Sequence, residues 1–237
     1  MTGTPQFERA RSNEAKQLRE GAILESARTQ ALERGVRAVT LTDIAAGVGM
    51  HKSTMLRYFE TREEIFLRLA ATEWAQWATE VTAVLSESDS PGHPDSAGPG
   101  GSVWSVASDP HQRVAALLAS SLVARPLFCD LLAHVPLNLE RGVSMIAVKE
   151  FKLAAIGAAG AVAATLREVC ALDVDQSRDL VATATAMAGA LWQMAAPGTE
   201  LRELYKRDPD LGHAVVDAEP RLTRILTTLL DGYAQRL

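Results

Sequence analysis

The sequence is poor in cysteine, and this shortage excludes several classes of protein. Cys129 and Cys170 are the two cysteines among 237 residues. Without a pairing pattern they argue against a disulfide framework or a cysteine-rich metal site and indicate a reducing compartment. The chain does not open with a basic segment followed by an apolar core, so we expect no secretory signal. We therefore expect a cytoplasmic protein without a metal or cofactor.

Long apolar runs are also scarce. The longest uncharged run, 180–199, is interrupted by threonines and ends at Pro197 and Gly198. A buried helix therefore explains this run better than a membrane span, and we expect no contact with a membrane. The hydrophobic share of 47% nevertheless suffices for a sizeable core.

The net charge of -5 is divided unevenly along the chain. Residues 1–62 hold ten Lys and Arg against seven Asp and Glu, which gives +3. The remaining residues hold fourteen against twenty-two, which gives -8. Such asymmetry is typical of a protein whose N-terminal part binds nucleic acid. Four basic residues near the N-terminus could follow phosphates, although an exposed tail of mixed charge explains them equally well: Arg9, Arg11, Lys16 and Arg19.

The stretch Thr40 to Phe59, TLTDIAAGVGMHKSTMLRYF, has the residue pattern of a helix-turn-helix. Two helices that cross steeply need a small residue at their contact, which Ala45 supplies, and a positive φ in the turn, which Gly49 supplies. In this register five apolar side chains fall at positions that such a unit buries, namely Ile44, Val48, Met50, Met55 and Tyr58. The alternative is an amphipathic hairpin without a role in DNA binding.

The residues at the helix starts agree with this motif. Thr40 can cap the first helix, with Asp43 completing a weak capping box. His51 stands where the second helix begins, and it is either a poor cap or a residue that faces DNA. A preceding helix is predicted over 18–34, and Thr61 can cap the helix that follows.

The segment ILESARTQALERGVRAVTLTDIAAGVGMHKSTMLRYFETREEIF resembles the head of the tetracycline-repressor (TetR) family of bacterial transcriptional regulators almost residue for residue. The resemblance implies an all-α fold of nine helices. A three-helix head at 17–77, with its motif at 40–59, would follow a flexible arm at 1–16. The body at 78–237 would bind a ligand and form the dimer. Within it, the segment 86–110 is rich in Ser, Gly and Pro, and this composition predicts a mobile loop.

The resemblance also implies which side chains contact DNA, either at the bases or at the phosphates. Leu56 takes a position where most family members have tyrosine; it could meet a thymine methyl group, but packing is the favoured interpretation. Tyr58 and Arg62 replace a histidine and a lysine that contact the DNA backbone in the family. The predicted DNA-binding residues are Thr40, Thr42, His51, Lys52, Ser53, Thr54, Arg57, Tyr58 and Arg62.

The last two long helices are predicted to pair with those of a second subunit, as the family does. The stretches 181–195 and 222–233 carry more small and apolar surface than one small body can cover. Close contact between helices would use Ala182, Ala186, Gly189 and Ala190. The alternative is that both helices belong only to the internal core.

A pocket for a small apolar effector is implied by the family resemblance. Candidate lining residues, each of which could be ordinary core, are Trp74, Trp77, Phe128, Leu131, His134, Phe151, Met187 and Trp192. We expect a repressor that binds a palindromic operator in double-stranded DNA as a homodimer and leaves it when the effector binds. A helical enzyme that uses Cys129 or His134, or a protein-binding adaptor, is the alternative, although neither residue has an evident catalytic partner.

Overall fold

The structure, a computed structural model, describes residues 5–88 and 109–235 and contains ten α-helices and no strand in those ranges. The predicted all-α class is confirmed, with one helix more than expected. The helices are α1 Pro5–Arg34, α2 Leu41–Gly47, α3 Lys52–Met55, α4 Arg62–Ser88, α5 Pro110–Val123, α6 Pro126–His134, α7 Met145–Cys170, α8 Val174–Ala195, α9 Glu200–Arg207 and α10 Ala218–Ala234. Short 3₁₀ turns cover Val36–Ala38 and Pro209–Ala214, and a π turn covers Val135–Leu139.

Side-chain caps explain where several helices begin. The Thr40 side chain accepts a hydrogen bond from the Asp43 amide, while the Asp43 carboxylate accepts one from the Thr40 amide. Asp173 and Gln176 form the same reciprocal box before α8. Each box satisfies two amides that a helix start otherwise leaves without partners. The capping box predicted at Thr40 is therefore present.

Two helices differ from the prediction. Helix α1 begins at Pro5, so most of the expected flexible arm at 1–16 is helical. Helix α9 was not predicted because it is only eight residues long, and it buries none of them although Leu201, Leu204 and Tyr205 follow helical spacing. Its remaining signals are the cap by Thr199 and charges that suit the helix dipole at both ends. The mobile loop expected at 86–110 falls mostly on 89–108, outside the described residues.

The chain forms two compact units, and their boundary differs from the expected one after residue 77. The head unit comprises 1–72 together with 134–152, and the body unit comprises 73–133 together with 153–237. A later stretch of the chain thus joins the N-terminal residues in the head unit. Helix α4 starts in the head unit and ends in the body unit.

The head unit is held together by apolar side chains from its first four helices. Ile23 and Ala27 of α1, Ile44 of α2 and Met55 of α3 are fully buried. Helices α1 and α2 lie so close that a Cβ atom on Gly47 would stand 2.3 Å from the Ser26 hydroxyl oxygen. This close approach fixes α2, and with it the helix-turn-helix, against α1.

The body unit packs α5, α8 and α10 against one another. Trp74 and Trp77 of α4 meet Phe128 of α6 at ring-centre distances of 5.4 to 6.0 Å. Trp77 is fully buried, and its indole nitrogen donates to the Ser121 hydroxyl over 3.0 Å. The tryptophans therefore contribute to the core of the body unit, where the polar edge of Trp77 is satisfied.

By length and composition, α7 could cross a membrane, and α5 and α6 pass the same test together as one bent pair. The mean hydropathy of the most apolar part of α7 is 1.5. Core helices of soluble proteins meet this criterion as well.

Candidate DNA-binding site

The helix-turn-helix has the predicted geometry at its two small residues. Ala45 is buried where α2 contacts α3, and its carbonyl accepts a hydrogen bond from the Met50 amide over 2.9 Å. Gly49 has a φ of 66°, a conformation that favours glycine. The predicted Ala-to-Gly spacing is therefore confirmed as the feature that turns the chain from α2 into α3.

The five apolar positions of the motif are buried to different degrees. Ile44 and Met55 are fully buried, as predicted. Val48, Met50 and Tyr58 are only half-buried, so the expectation of five buried positions was wrong for three of them. They lie at the margin of the unit, where the Tyr58 hydroxyl oxygen stands 3.4 Å from a guanidinium nitrogen of Arg19 and accepts its hydrogen bond.

Helix α3 and its final turn present an exposed surface of mixed chemistry. Lys52, Ser53 and Arg57 are exposed, and no ion pair engages Lys52 or Arg57 among the residues that the structure describes. His51 makes no side-chain cap and is exposed, which agrees with the interpretation that it is a poor cap. Two unpaired cations and a hydroxyl group are therefore available to a partner molecule.

Leu56 belongs to this exposed surface. Its side chain is 48% exposed, so the favoured interpretation that it packs inside the head was wrong. The Leu56 amide bonds to the Lys52 carbonyl, which places the residue one turn after Lys52. An exposed leucine between cations can contact an apolar group on a partner.

Arg62 is engaged inside the head unit. Its guanidinium donates hydrogen bonds to the carbonyl oxygens of Val36 and Val39, pairs with the Glu63 carboxylate at 2.9 Å and lies 4.7 Å from the centre of the Phe66 ring. These contacts fix the start of α4 to the turn that precedes α2. Sequence reasoning missed this bracing role because the two carbonyl partners lie 26 and 23 residues earlier in the chain.

The threonines predicted to contact DNA have different environments. Thr40 and Thr42 are exposed, whereas Thr54 is half-buried. The Thr40 hydroxyl donates to the Asp43 carboxylate over 2.6 Å. This bond lowers the pKa of Asp43, with smaller contributions from the Thr40 amide and from the Arg34 charge. A phosphate that approaches Thr40 would therefore also meet a carboxylate, which disfavours Thr40 as a contact.

The residues predicted to line an effector pocket fall in both units. Trp74, Trp77, Phe128 and Leu131 are buried in the body unit, where Met187 and Trp192 are half-buried. His134 and Phe151 are buried in the head unit. Phe151 lines a cavity of about 90 Å³ together with Glu64, Leu67, Arg68, Ala71, Ala147 and Glu150.

A larger open groove lies between α1 and α2 in the head unit. Its volume is about 840 Å³, and Thr29, Gln30, Asp43 and Val48 are among its lining residues. None of the predicted pocket residues lines this groove. The predicted effector pocket stays a prediction.

The groups considered for catalysis or metal binding have local structural explanations. Burial raises the pKa of the Cys129 thiol to about 12, and the neighbouring Asp130 acts in the same direction. The Cys129 sulfur donates to the Leu122 carbonyl over 3.2 Å, so it is a buried thiol rather than a nucleophile. Asp109, His111 and Asp231 place donor atoms within 4.8 Å of one another. A 2.8 Å contact between the His111 ring and Asp231 accounts for their closeness.

Comparisons with family models define the class of protein. The model described as bacterial regulatory proteins of the tetR family matches residues 23–69, and the tetracyclin repressor-like C-terminal domain matches 71–236. The first match covers the helix-turn-helix, and the second covers more than half of the chain. The chain is therefore a transcriptional regulator of the TetR family. No curated protein matches the chain.

Two solved structures illustrate the shared fold. A TetR/AcrR family regulator from Thermobifida fusca is 20% identical, covers 91% of this chain and 98% of its own, and gives a TM-score of 0.50. A putative TetR-family regulator from Mesorhizobium loti is 12% identical, covers 93% and 96%, and gives the same TM-score. At these identities the likeness shows the fold alone.

Proposed function

We propose that the protein binds a specific palindromic operator as a homodimer and represses transcription until a small molecule releases it. The observation that carries the proposal is the exposed surface of the helix-turn-helix, where Lys52 and Ser53 stand on α3, the second helix, and Arg57 stands on the turn that ends it. In this motif the second helix enters the major groove of DNA, where side chains reach the base edges. The proposed contact surface excludes Arg62, because the guanidinium of that residue serves the head unit internally.

The side chains on α3 differ in what they can recognise. The Arg57 guanidinium can donate two hydrogen bonds to the O6 and N7 atoms of guanine. Leu56, exposed beside it, offers methyl groups that suit the methyl group of thymine. Lys52 and Ser53 can reach bases or phosphates, and phosphate contacts would set the register of the helix.

The test is DNA binding by purified protein, first in a gel shift with the promoter region beside its own gene. The affinity of the protein for the DNA fragment that shifts is then measured by fluorescence anisotropy. Arg57→Ala should cost ~1–3 kcal/mol and relax base preference at one position. Arg113→Ala, a matched change at an exposed arginine of the body unit, should leave affinity unchanged. Equal affinity and equal base preference in wild type and Arg57→Ala would refute the proposed recognition surface.

The proposed dimer uses α8 and α10. Ala182, Ala186 and Ala190 lie four residues apart on α8 and are exposed, and Leu229 of α10 is half-buried. Small side chains at this spacing let helices of two copies approach closely. Gly189, which was predicted to share this role, instead packs inside the body unit, where an added Cβ would meet the backbone of α6.

A charge at the centre of this face tests the dimer. In a symmetric contact, Ala186→Glu would bury two like charges, one from each copy. We therefore expect this variant to lose the proposed contact between the α8 and α10 helices of two copies and to be a monomer. Unchanged mass in light scattering, together with unchanged affinity for a palindromic site, would place the dimer contact elsewhere.

Release by an effector rests on family membership. The 90 Å³ cavity beside Phe151 is too small for an effector of drug-like size, which needs roughly 300 Å³ or more. The aromatic cluster of Trp74, Trp77 and Phe128 is the apolar surface that an entering molecule would have to part. A panel of small aromatic and fatty-acid compounds is tested for release of the gel-shift complex. Trp77→Ala should weaken the release of DNA by the effector while operator binding stays measurable. Unchanged release by the variant would show that the aromatic cluster does not line the effector pocket.

A further inference from the structure

The C-terminal end of α2 takes a hydrogen-bond donor from α1. In a continued α-helix the Val48 amide would bond to the Ile44 carbonyl, but it bonds to the Ala45 carbonyl instead. The Ile44 carbonyl accepts a hydrogen bond from the hydroxyl of Ser26 on α1 over 3.3 Å. A side chain of α1 therefore satisfies a carbonyl that the end of α2 leaves without its usual partner.

Gln30 stands one turn after Ser26 on α1 and extends this contact. Its amide nitrogen donates to the Ser26 hydroxyl over 3.0 Å and to the Asp43 carbonyl over 3.1 Å. Its amide oxygen accepts from the Arg34 guanidinium over 2.6 Å. All three partners agree with one orientation of the Gln30 amide, because the nitrogen faces acceptors and the oxygen faces a donor.

The side chains of Ser26, Gln30 and Arg34 form a chain of hydrogen bonds, the α1 chain, which ends on α2. Arg34 donates to Gln30, Gln30 donates to Ser26, and Ser26 donates to the Ile44 carbonyl. Hydrogen bonds that run in one direction polarise one another, so each bond strengthens the next. Gln30 is the middle residue, and its loss would break the α1 chain and also remove the bond to Asp43.

The α1 chain acts at the point where the helix-turn-helix changes direction. Gly47 ends α2 beside Ser26, and Gly49 turns the backbone two residues later. Helix α3 begins at Lys52, so residues 48–51 alone separate it from the end of α2. The placement of the end of α2 therefore sets the direction in which α3 and its final turn point.

Solvent reaches the α1 chain. Ser26 and Gln30 are half-buried, and both line the open groove of about 840 Å³ between α1 and α2. Because water can replace a lost partner there, removing one of these side chains should cost little free energy of unfolding. The fully buried Ile23, Ile44 and Met55 still hold the head unit together. The α1 chain therefore contributes more to the placement of α2 than to stability.

We propose that Gln30 is a positioning residue for base recognition, which acts on α3 through Ser26 and the end of α2. Hydrogen bonds to base edges need an accurately placed helix, whereas the attraction between cations and phosphates does not depend on sequence. Loss of the α1 chain should therefore weaken specific DNA binding and leave non-specific binding unchanged. The inference rests on the proposed operator binding by Lys52, Ser53 and Arg57.

The test compares two affinities at one salt concentration by fluorescence anisotropy, for the promoter fragment that shifts and for unrelated DNA of the same length. Gln30→Met keeps the length of the side chain and removes its three hydrogen bonds. It should lower the affinity for the promoter fragment by roughly 5–150-fold, the worth of one base contact, without changing the other affinity. Gln76→Met, the same change at an exposed glutamine of the body unit, should alter neither. An unchanged ratio of the two affinities in Gln30→Met would overturn the proposal.

Partial unfolding would give a different result from loss of positioning. A smaller folded fraction lowers both affinities by the same factor and leaves their ratio unchanged. Gln30→Glu adds a second comparison, because it keeps the acceptor for Arg34 and loses the two donated bonds. The ratio should fall in Gln30→Glu as it does in Gln30→Met. A wild-type ratio in Gln30→Glu would show that the bond from Arg34 suffices and would overturn the role of Ser26.

Amide hydrogen exchange tests the same role without DNA. The Gly49 and Met50 amides donate to the carbonyls of Ala46 and Ala45. They should exchange faster in Gln30→Met, while the amides of α8 keep their wild-type rates. Faster exchange together with equal wild-type affinities for both DNAs would overturn the proposed operator binding and, with it, the positioning role. Specific binding by wild type, with exchange and ratio both unchanged in the variant, would overturn the positioning role alone.

Discussion

Gly189→Ala is the substitution whose effect the structure defines most directly. Gly189 of α8 is buried against α6. A Cβ atom there would stand 2.8 Å from the Ala133 nitrogen, 3.1 Å from the Leu132 carbonyl carbon and 3.2 Å from the Leu132 Cβ. Two of these three atoms belong to helix backbone, so a side-chain rotation cannot relieve the contact.

The magnitude follows from two opposing contributions. Overpacking a rigid site costs typically ~1–3 kcal/mol, and backbone partners place this site near the upper end. Replacing glycine by alanine inside a helix recovers about 1 kcal/mol. We therefore expect a net loss of about 2 kcal/mol in the free energy of unfolding. For a chain of this size that loss lowers Tm by roughly 4–8 °C.

Chemical and thermal unfolding of wild type and variant provide the measurement. The matched control is Gly21→Ala in α1, where an added Cβ meets nothing within 4 Å. This control should stabilise the protein by roughly 0.5–1 kcal/mol, because only helix propensity changes. If Gly189→Ala proves as stable as Gly21→Ala, α6 and α8 do not approach as closely as the structure indicates.

Two further predictions concern charged groups. Arg125 pairs with the Glu73 carboxylate at 3.3 Å, and the Glu73 side chain is only 4% exposed. Because Arg125→Met removes this cation from a buried carboxylate, it should lower the free energy of unfolding by about 3 kcal/mol, measured in urea. Addition of Glu73→Gln to the same chain should recover part of this loss. The Thr40 hydrogen bonds lower the pKa of Asp43, so the carboxylate stabilises the fold above the ordinary carboxyl pKa and this contribution is lost as pH falls through the lowered value. The stability difference between wild type and Asp43→Asn should therefore be present at neutral pH and shrink below about pH 4; a difference independent of pH would contradict this.

The helix-turn-helix could be predicted from the sequence because its determinants are local. The cap at Thr40, the small residue at Ala45 and the positive φ at Gly49 all act within ten residues of chain. Hydrogen bonds and sterics at this range depend little on the rest of the fold. The family resemblance added the body, which the second family model confirms over 71–236.

The features that sequence reasoning missed depend on tertiary contacts or on their absence. Leu56 was expected to pack, but among the residues that the structure describes no element covers it, and its side chain is exposed. Gly189 was predicted to lie on the intersubunit face, but it packs against the backbone of α6 within the chain. The eight predicted pocket residues could not be divided between units in advance, because residues 134–152 return to the head unit after α6.

The internal role of Arg62 changes how the charge of the head relates to DNA binding. One of the ten basic residues in 1–62 is occupied by the Val36 and Val39 carbonyls, and Arg34 lies 3.8 Å from Asp43. The net charge of +3 therefore overstates what the head can offer to phosphates. Lys52 and Arg57 are the two cations on the exposed surface formed by α3 and its final turn, and these two alone neutralise few phosphates. Doubling the heads doubles these contacts and adds a second set of bases, so the proposed operator binding depends on the proposed dimer.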